Sequence, residues 1–365
     1  MRNSVTSVLL IKTGSLGDVL RTTSVLPGLK QRFPDLQLTW LVAPAAASLV
    51  ERHRLVDRVI TCDPGDAASM EAARADLPGI RWDWVLSLDD EGPLCALAAS
   101  LDTARLSGAT LDAAGQPTYT DDVEPWFGMG LLSKDGKEAA DRRKRENRRS
   151  HPEIFASMLE VESGRPELSL SSEAHAAALA FASEFGLDDS TLVCGLNTGA
   201  GGRWRSKELP VERVASYAGA LASAVGREVT FLVLGGPAER ERNDAILSAL
   251  AELDAPIRAV DAGTHHDLNT FAAIVGLTDL LLTSDSLALH IGLAMEVPMV
   301  TFFAPTSAAE IDLFGMGEKV SSTSPDYCSY RAEVDRSTIT VERLVAASLR
   351  VLAAHQGRRR LIARS

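Results

Sequence analysis

The sequence predicts an α/β protein of two domains, each built on a mostly parallel sheet, and three observations carry that expectation. Short runs rich in Val, Ile and Leu alternate with Ala-rich segments of helical spacing, a pattern that implies crossover helices covering parallel strands. The runs fall into two series with a polar segment between them. At 365 residues, 45% of them hydrophobic, the chain is long enough to bury two cores of ordinary size.

The first series predicts strands over 8–11, 36–42, 58–60 and 84–88. The second predicts them over 192–196, 229–234, 257–260, 280–283 and 299–303, so the chain repeats one architecture. Between the two, residues 135–150 contain the run D-R-R-K-R-E-N-R-R-S, followed by His151, and the run reads either as a solvated face or as an edge that receives an acceptor. An Ala-rich helix over 170–185 follows, with Gly186 at its exit and the domain linker near it. Apolar residues at helical spacing over 341–354 predict a terminal helix docked on the body, ahead of an exposed Gly357-Arg-Arg-Arg.

A net charge of -12 argues against a bulk electrostatic grip on nucleic acid or anionic lipid, so any phosphate has to be held locally. Cys62, Cys95, Cys194 and Cys328 lie far apart without metal-ligand spacing and read as buried thiols in a reducing compartment. Neither a signal-peptide core nor a run of about 18 apolar residues is present. The expected location is cytoplasmic, with at most peripheral contact at the inner face of the membrane.

Residues suited to chemistry gather where strands end. After the first strand comes Lys12-Thr13-Gly14-Ser15-Leu16-Gly17-Asp18, which is neither a P-loop nor a dinucleotide fingerprint. Gly14 and Gly17 permit close backbone approach, and Asp18 at a helix start is favoured in its ionised form. Asp18 reads either as a general base or as a helix cap.

After 192–196, the small residues around Thr198 and Gly199 precede Arg203, Arg205 and Lys207. Amides that approach oxygens closely, followed by cations, suit a diphosphate; the alternative is a flexible connection with solvent-facing charges. After 280–283, Asp285 and Ser286 lead into Leu287 and His290. Ser286 is placed to cap a helix whose free N–H groups point at an anion, and His290 reads either as a phosphate contact or as a packed histidine. Gly235 lies in a further loop at a strand's end. Asp89-Asp90-Glu91, with no other oxygen ligands beside it, reads as a polar wall of a cleft and not as a metal site.

Together these motifs resemble glycosyltransferase family 9, the heptosyltransferase-like enzymes of bacterial cell-surface polysaccharide assembly. The resemblance covers most of the chain. It rests on L-I-K-T-G-S-L-G-D-V-L-R-T-T-S-V-L-P, L-T-W-L-V-A, W-D-W-V-L-S-L and the Gly-rich loop ending in S-K-E-L-P. It closes with S-D-S-L-A-L-H-I-G-L-A-M-E-V-P-M-V-T-F-F-A-P-T, which looks like the family's D-[ST]-G-x-x-H signature and its following strand.

The resemblance implies the GT-B fold, two Rossmann-like domains facing across a cleft. An acceptor-binding domain is expected over 1–185 and a nucleotide-sugar domain over 186–340, with a helix and basic tail over 341–365 that pack back on the N-terminal domain. Asp18 matches the catalytic base. Lys207, helped by Thr198 and Gly199, matches the lysine that holds the diphosphate, and Asp285, Ser286 and His290 match the nucleotide-binding signature. Leu287 and Ala304 stand where the family usually has glycine. Gly14, Gly17, Arg203, Arg205 and Gly235 are the phosphate or loop candidates, and Lys12, Asp89, Asn147 and Arg148 the acceptor candidates.

The activity so implied is inverting transfer of a heptose-like sugar from a nucleotide-diphosphate donor, ADP-linked, to a hydroxyl of a cell-surface glycan or glycolipid, with no metal and no cofactor. The rivals are transfer to a protein or small metabolite, epimerisation on the same fold, and non-catalytic binding of a sugar nucleotide, which would not need Asp18. A Rossmann oxidoreductase is disfavoured because no G-x-G-x-x-G follows the first strand.

Overall fold

A computed structural model describes residues 6–201 and 205–357, in two compact units that part between Ser169 and Leu170. The first unit holds strands β1 (Thr6–Ile11), β2 (Leu36–Val42), β3 (Arg58–Thr61), β4 (Trp84–Ser87), β5 (Leu106–Leu111) and β6 (Pro117–Tyr119). Its helices are α1 (Leu16–Thr22), α2 (Leu26–Arg32), α3 (Ala67–Asp76), α4 (Gly92–Ser100), α5 (Glu124–Phe127), α6 (Lys137–Glu146) and α7 (His151–Leu159). The sheet order is β3-β2-β1-β4-β5-β6, parallel except where β6 runs against β5. β1 lies at its centre, with Val8 in register with Leu38 on one side and Trp84 on the other. That position explains its unbroken apolar run, since a parallel strand covered by helices is buried on both faces.

The second unit opens with α8 (Ser172–Glu184) and continues through β7 (Leu192–Asn197), α9 (Val211–Val225), β8 (Val229–Val233), α10 (Arg240–Ala251) and β9 (Ile257–Asp261). It closes through α11 (Leu268–Val275), β10 (Leu280–Ser284), α12 (Leu287–Ala294), β11 (Met299–Phe303), β12 (Gly317–Ser321) and α13 (Val341–Ala354). The all-parallel order is β12-β11-β10-β7-β8-β9. Numbered from its own first strand, each sheet follows the doubly wound order 3-2-1-4-5-6, so the repeat expected from the two series is a repeat of topology.

The strands foreseen in both series form, while β5, β6 and β12 were not foreseen. β5 (L-S-G-A-T-L) and β12 (G-E-K-V-S) mix polar and small residues into the run, because they lie toward sheet edges where burial demands less. In β5, Gly108 has φ +123°, and a Cβ there would come within 1.8 Å of the Ser87 carbonyl oxygen. Only glycine lets β5 approach β4 so closely.

Two domain expectations are corrected. The helix predicted over 170–185 forms as α8, but it packs on α11, so the boundary falls at 169/170 and not at 185/186. The terminal helix forms over the predicted residues, and it packs on α9, β11 and β12 of the second unit, where the expectation had it on the N-terminal domain. Leu344, Ala347 and Val351 bury one face of α13, and the Tyr217 hydroxyl shares a 2.8 Å hydrogen bond with Ser348 inside that packing. The arginines after Gly357 lie outside the described residues. Among the described residues no helix is long and apolar enough to cross a membrane.

Candidate active site

In a doubly wound sheet the strand order reverses between its first and fourth strands, and loops leaving those strands splay apart to make a crevice. In the first unit they follow β1 and β4, and these are the loops that carry Lys12 to Asp18 and Asp89. In the second unit they follow β7 and β10, and these carry Thr198, Gly199, Asp285 and Ser286.

The first-unit turn is held from below by Asp89. Its carboxylate accepts from Lys12 Nζ and the Thr13 amide, and from the Thr13 hydroxyl at 2.7 Å. Asp89 is buried and consumed by these bonds, so it forms with Lys12, the other acceptor candidate here, a clamp under the turn and not the open polar wall expected of Asp89. Among the described residues no group of three or more His, Cys, Asp or Glu side chains gathers as metal ligands would. Burial, reinforced by Asp89 and its acidic neighbours, pushes the Cys62 thiol up to about 12. Burial and the Asp90 and Glu91 carboxylates raise Cys95 to about 11; both are inert thiols, as expected.

The N-cap of α1 is Ser15, and Asp18 lies in the first turn; Asp18 is therefore not the cap. One of its oxygens accepts from the Ser15 hydroxyl at 3.2 Å, and the other is 2.9 Å from Arg21, three residues on. A Cβ at Gly14 would meet nothing within 4 Å, so the turn leaves open space there, while Gly17 is buried in the first turn of α1. Asn147 ends α6, its side chain bridging both backbone groups of Arg149. Arg148 is exposed and donates to the carbonyls of Arg145 and Asn147.

In the second unit Lys207 Nζ donates to the Asp285 carbonyl at 2.8 Å and to its carboxylate at 3.0 Å. Burial pushes the Asp285 carboxyl up, but the Lys207 ammonium and His290, aided by the hydrogen bond from Lys207, outweigh it and hold the group below the usual carboxylate range. An ionised carboxylate repels phosphate, so Asp285 acts through Lys207, fixing where the ammonium points. His290 is buried in α12, packed yet electrically part of the site.

Ser286 occupies the N-cap position of α12 without capping it through its side chain, which corrects that expectation. Its hydroxyl turns to Thr283 at 3.2 Å and to Asn197 at 3.3 Å, and the Ser284 hydroxyl donates to the Gly199 carbonyl at 3.2 Å. These bonds tie the loop after β10 to the loop after β7. The first-turn amides of α12 receive no side-chain cap, and the positive end of the helix dipole adds to Lys207. Leu287 is the first residue of α12 and only partly buried.

Two residues that the sequence reading did not single out organise the Gly-rich loop. Glu239 is buried and accepts from the amides of Gly201 and Gly236. The Gly201 amide is thus already taken, so the cradle expected of that loop is narrower than its glycine content suggests. A Cβ at Gly199 would come within 2.6 Å of Glu239, and one at Gly235 within 2.8 Å of Asn243; those glycines make room for packing. Arg242 donates to the Thr198 hydroxyl at 3.0 Å, to its carbonyl at 3.2 Å and to the Leu209 carbonyl, binding the Thr198 strand end to the segment that carries Lys207. Arg205 is exposed, and Arg203 lies outside the described residues. The signal for Glu239 was present in G-G-P-A-E, where a glutamate three residues on can close on the loop's own amide.

A family model described as "Glycosyltransferase family 9 (heptosyltransferase)" matches residues 142–337, more than half of the chain. The chain belongs to glycosyltransferase family 9. The match takes in the whole second-unit site, while the Asp18 turn precedes it. The chain is similar to a family 9 glycosyl transferase from Veillonella parvula DSM 2008, with a TM-score of 0.75 at 18% identity over 97% of this chain and 99% of that one. It is also similar to an ADP-heptose lps heptosyltransferase II from E. coli, with a TM-score of 0.62 at 17% identity over 96% and 100%. At these identities the likeness speaks for the fold, the α/β GT-B architecture expected for family 9. Lipopolysaccharide heptosyltransferase 1 of Salmonella typhimurium is 43% identical over 53 residues, which span 14% of this chain and 17% of that protein.

Proposed function

We propose that the protein is an inverting, metal-independent glycosyltransferase that moves a heptose-like sugar from an ADP-linked donor to a hydroxyl of a cell-surface glycan or glycolipid. It works in the cytoplasm or at the inner face of the membrane. The observation that carries this reading is the Lys207–Asp285 pair set at the uncapped start of α12, within the span matched by family 9. The named heptosyltransferases to which the chain is similar favour an ADP-linked heptose as donor and lipopolysaccharide as the acceptor class.

In the reaction the acceptor oxygen attacks the anomeric carbon while Asp18 takes the hydroxyl proton. The bond from that carbon to the diphosphate breaks, and the configuration inverts. Charge then grows on the departing diphosphate, where Lys207 and the α12 amides are already oriented to meet it. Lys207 supplies there the positive charge that other transferases draw from a divalent cation. Arg148 and Asn147 are proposed to face the acceptor.

General-base help is worth roughly 10² to 10⁴ in rate. Asp18→Asn is therefore expected to lose turnover on that scale with ADP affinity little changed, measured by ADP release and by calorimetric titration. A wild-type rate in Asp18→Asn would sink the mechanism and leave a sugar-nucleotide-binding protein.

A further inference from the structure

We infer that Arg21 is a positioning residue for Asp18, held in place by a platform built on Trp126. The inference rests on the reading of Asp18 as the base. Arg21 and Asp18 are three residues apart on one face of α1, with the guanidinium 2.9 Å from the carboxylate. The cation is the more buried partner, its side chain 15% exposed against 35% for Asp18. Its guanidinium carbon stands 5.1 Å from the centre of the Trp126 ring. A cation over an indole face, largely withdrawn from water, is fixed in direction as well as in charge.

The platform is rigid for reasons the sequence hides. Trp126 meets His151 edge-on at 5.0 Å and Phe155 at 5.3 Å, and His151 stacks on Phe155 at 3.9 Å. The start of α7, which presents His151, is locked by a capping box between Ser150 and Glu153. Arg21 approaches one oxygen of Asp18 and the Ser15 hydroxyl the other, so the plane of the carboxylate is set from two sides. Among the described residues, Lys12 pairs with Asp89, Glu124 of α5 with Arg143, and Glu153 caps α7. The helical turn Pro44–Leu49 packed on α1 carries no titratable group, and His151 lies behind the indole.

Arg21 trades basicity for orientation. It favours the ionised carboxylate, which makes Asp18 a weaker base but keeps it aimed and charged before the acceptor arrives. After proton transfer the attraction to Arg21 is lost, so the neutral acid returns its proton to water and the base is reset.

The test is the titration of the Asp18 carboxyl carbon by NMR in full-length protein labelled at aspartate, the resonance assigned by its loss in Asp18→Asn. Arg21→Gln should move the midpoint to higher pH, Arg21→Lys should stay nearer to wild type, and Trp126→Leu should fall between. Should Arg21→Gln fail to fold, Arg21→Met, which also removes the charge, gives the same reading. A midpoint unmoved in the charge-removing variant overturns the inference, and one unmoved in Trp126→Leu removes the platform's part in it. In a transfer assay with ADP-heptose and lipopolysaccharide from a heptose-deficient strain, Arg21→Gln should lower kcat by about tenfold to a hundredfold, the scale of a misplaced catalytic group. The two readings fail separately: turnover by Asp18→Asn removes the base, whereas an Asp18 titration indifferent to Arg21 removes only the positioning.

Discussion

Burial pushes the Asp285 carboxyl toward its neutral form, and Lys207 and His290 pull it below the ordinary carboxylate range. Because the folded value lies under the unfolded one, the stabilisation is complete above the unfolded value and fades as pH falls through the folded one. Asp285→Asn keeps an oxygen for Lys207 to donate to but loses the charge. The variant should be less stable than wild type by about 1–3 kcal/mol at pH 7, with the gap closing as pH drops below about 4. Urea midpoints taken between pH 7 and pH 3.5 would read this, and a gap that stayed constant would mean that the pair contributes no net charge attraction. Single residues were legible here to the extent that they stand in compact motifs. Asp18, Lys207 and Asp285 stand in such motifs at strand ends, even though Lys207 and Asp285 meet across 78 residues, whereas Arg242 reaches a carbonyl 44 residues away from a position inside a helix. Glu239 carried a local mark in G-G-P-A-E, but nothing local marks Arg242 as different from any other charge on a helix.

At the scale of elements, α10 does more than cover the sheet. Arg242 projects from its first turn into the carbonyls of Thr198 and Leu209 and lies 3.8 Å from Glu208, so one helix start holds the loop on which Lys207 is mounted. Burial lowers the Arg242 pKa, but it remains a cation. Arg242→Met keeps much of the packing and leaves those carbonyls without their donor. It should cost about 1–3 kcal/mol of stability and weaken ADP binding more than Arg242→Lys does. Calorimetric titration beside a denaturant series would check both, and unchanged ADP affinity would show that the loop holds its shape without α10. The strands that position these loops were readable from their apolar runs, and α13 from its buried stripe. β6 and β12 were not, because an edge strand is less buried and tolerates polar residues, and β5 was not, because Ser107, Gly108 and Thr110 break up its apolar run. The misplaced boundary has the same origin, since the pattern of α8 tells that it is a helix but not which sheet it covers.

For the molecule as a whole, a net charge of -12 leaves no general attraction for a polyphosphate, so on the proposed reading nucleotide affinity comes from the local field of Lys207 and the start of α12. That reading makes binding specific to the second unit and sensitive to one side chain. ADP at about 100 times its dissociation constant should stabilise the unit by roughly 2.7 kcal/mol, which for some 200 residues corresponds to a rise of roughly 5–10 °C in Tm. The shift should vanish in Lys207→Ala and shrink in high salt less than a surface site would, because the Lys207–Asp285 pair is largely shielded from solvent. UDP and GDP present the same diphosphate, so any smaller shift with them measures the base alone. If UDP matched or exceeded ADP, the donor assignment would pass to a uridine sugar with the diphosphate site intact; if no nucleoside diphosphate moved Tm, the second-unit site would not be a nucleotide site at all.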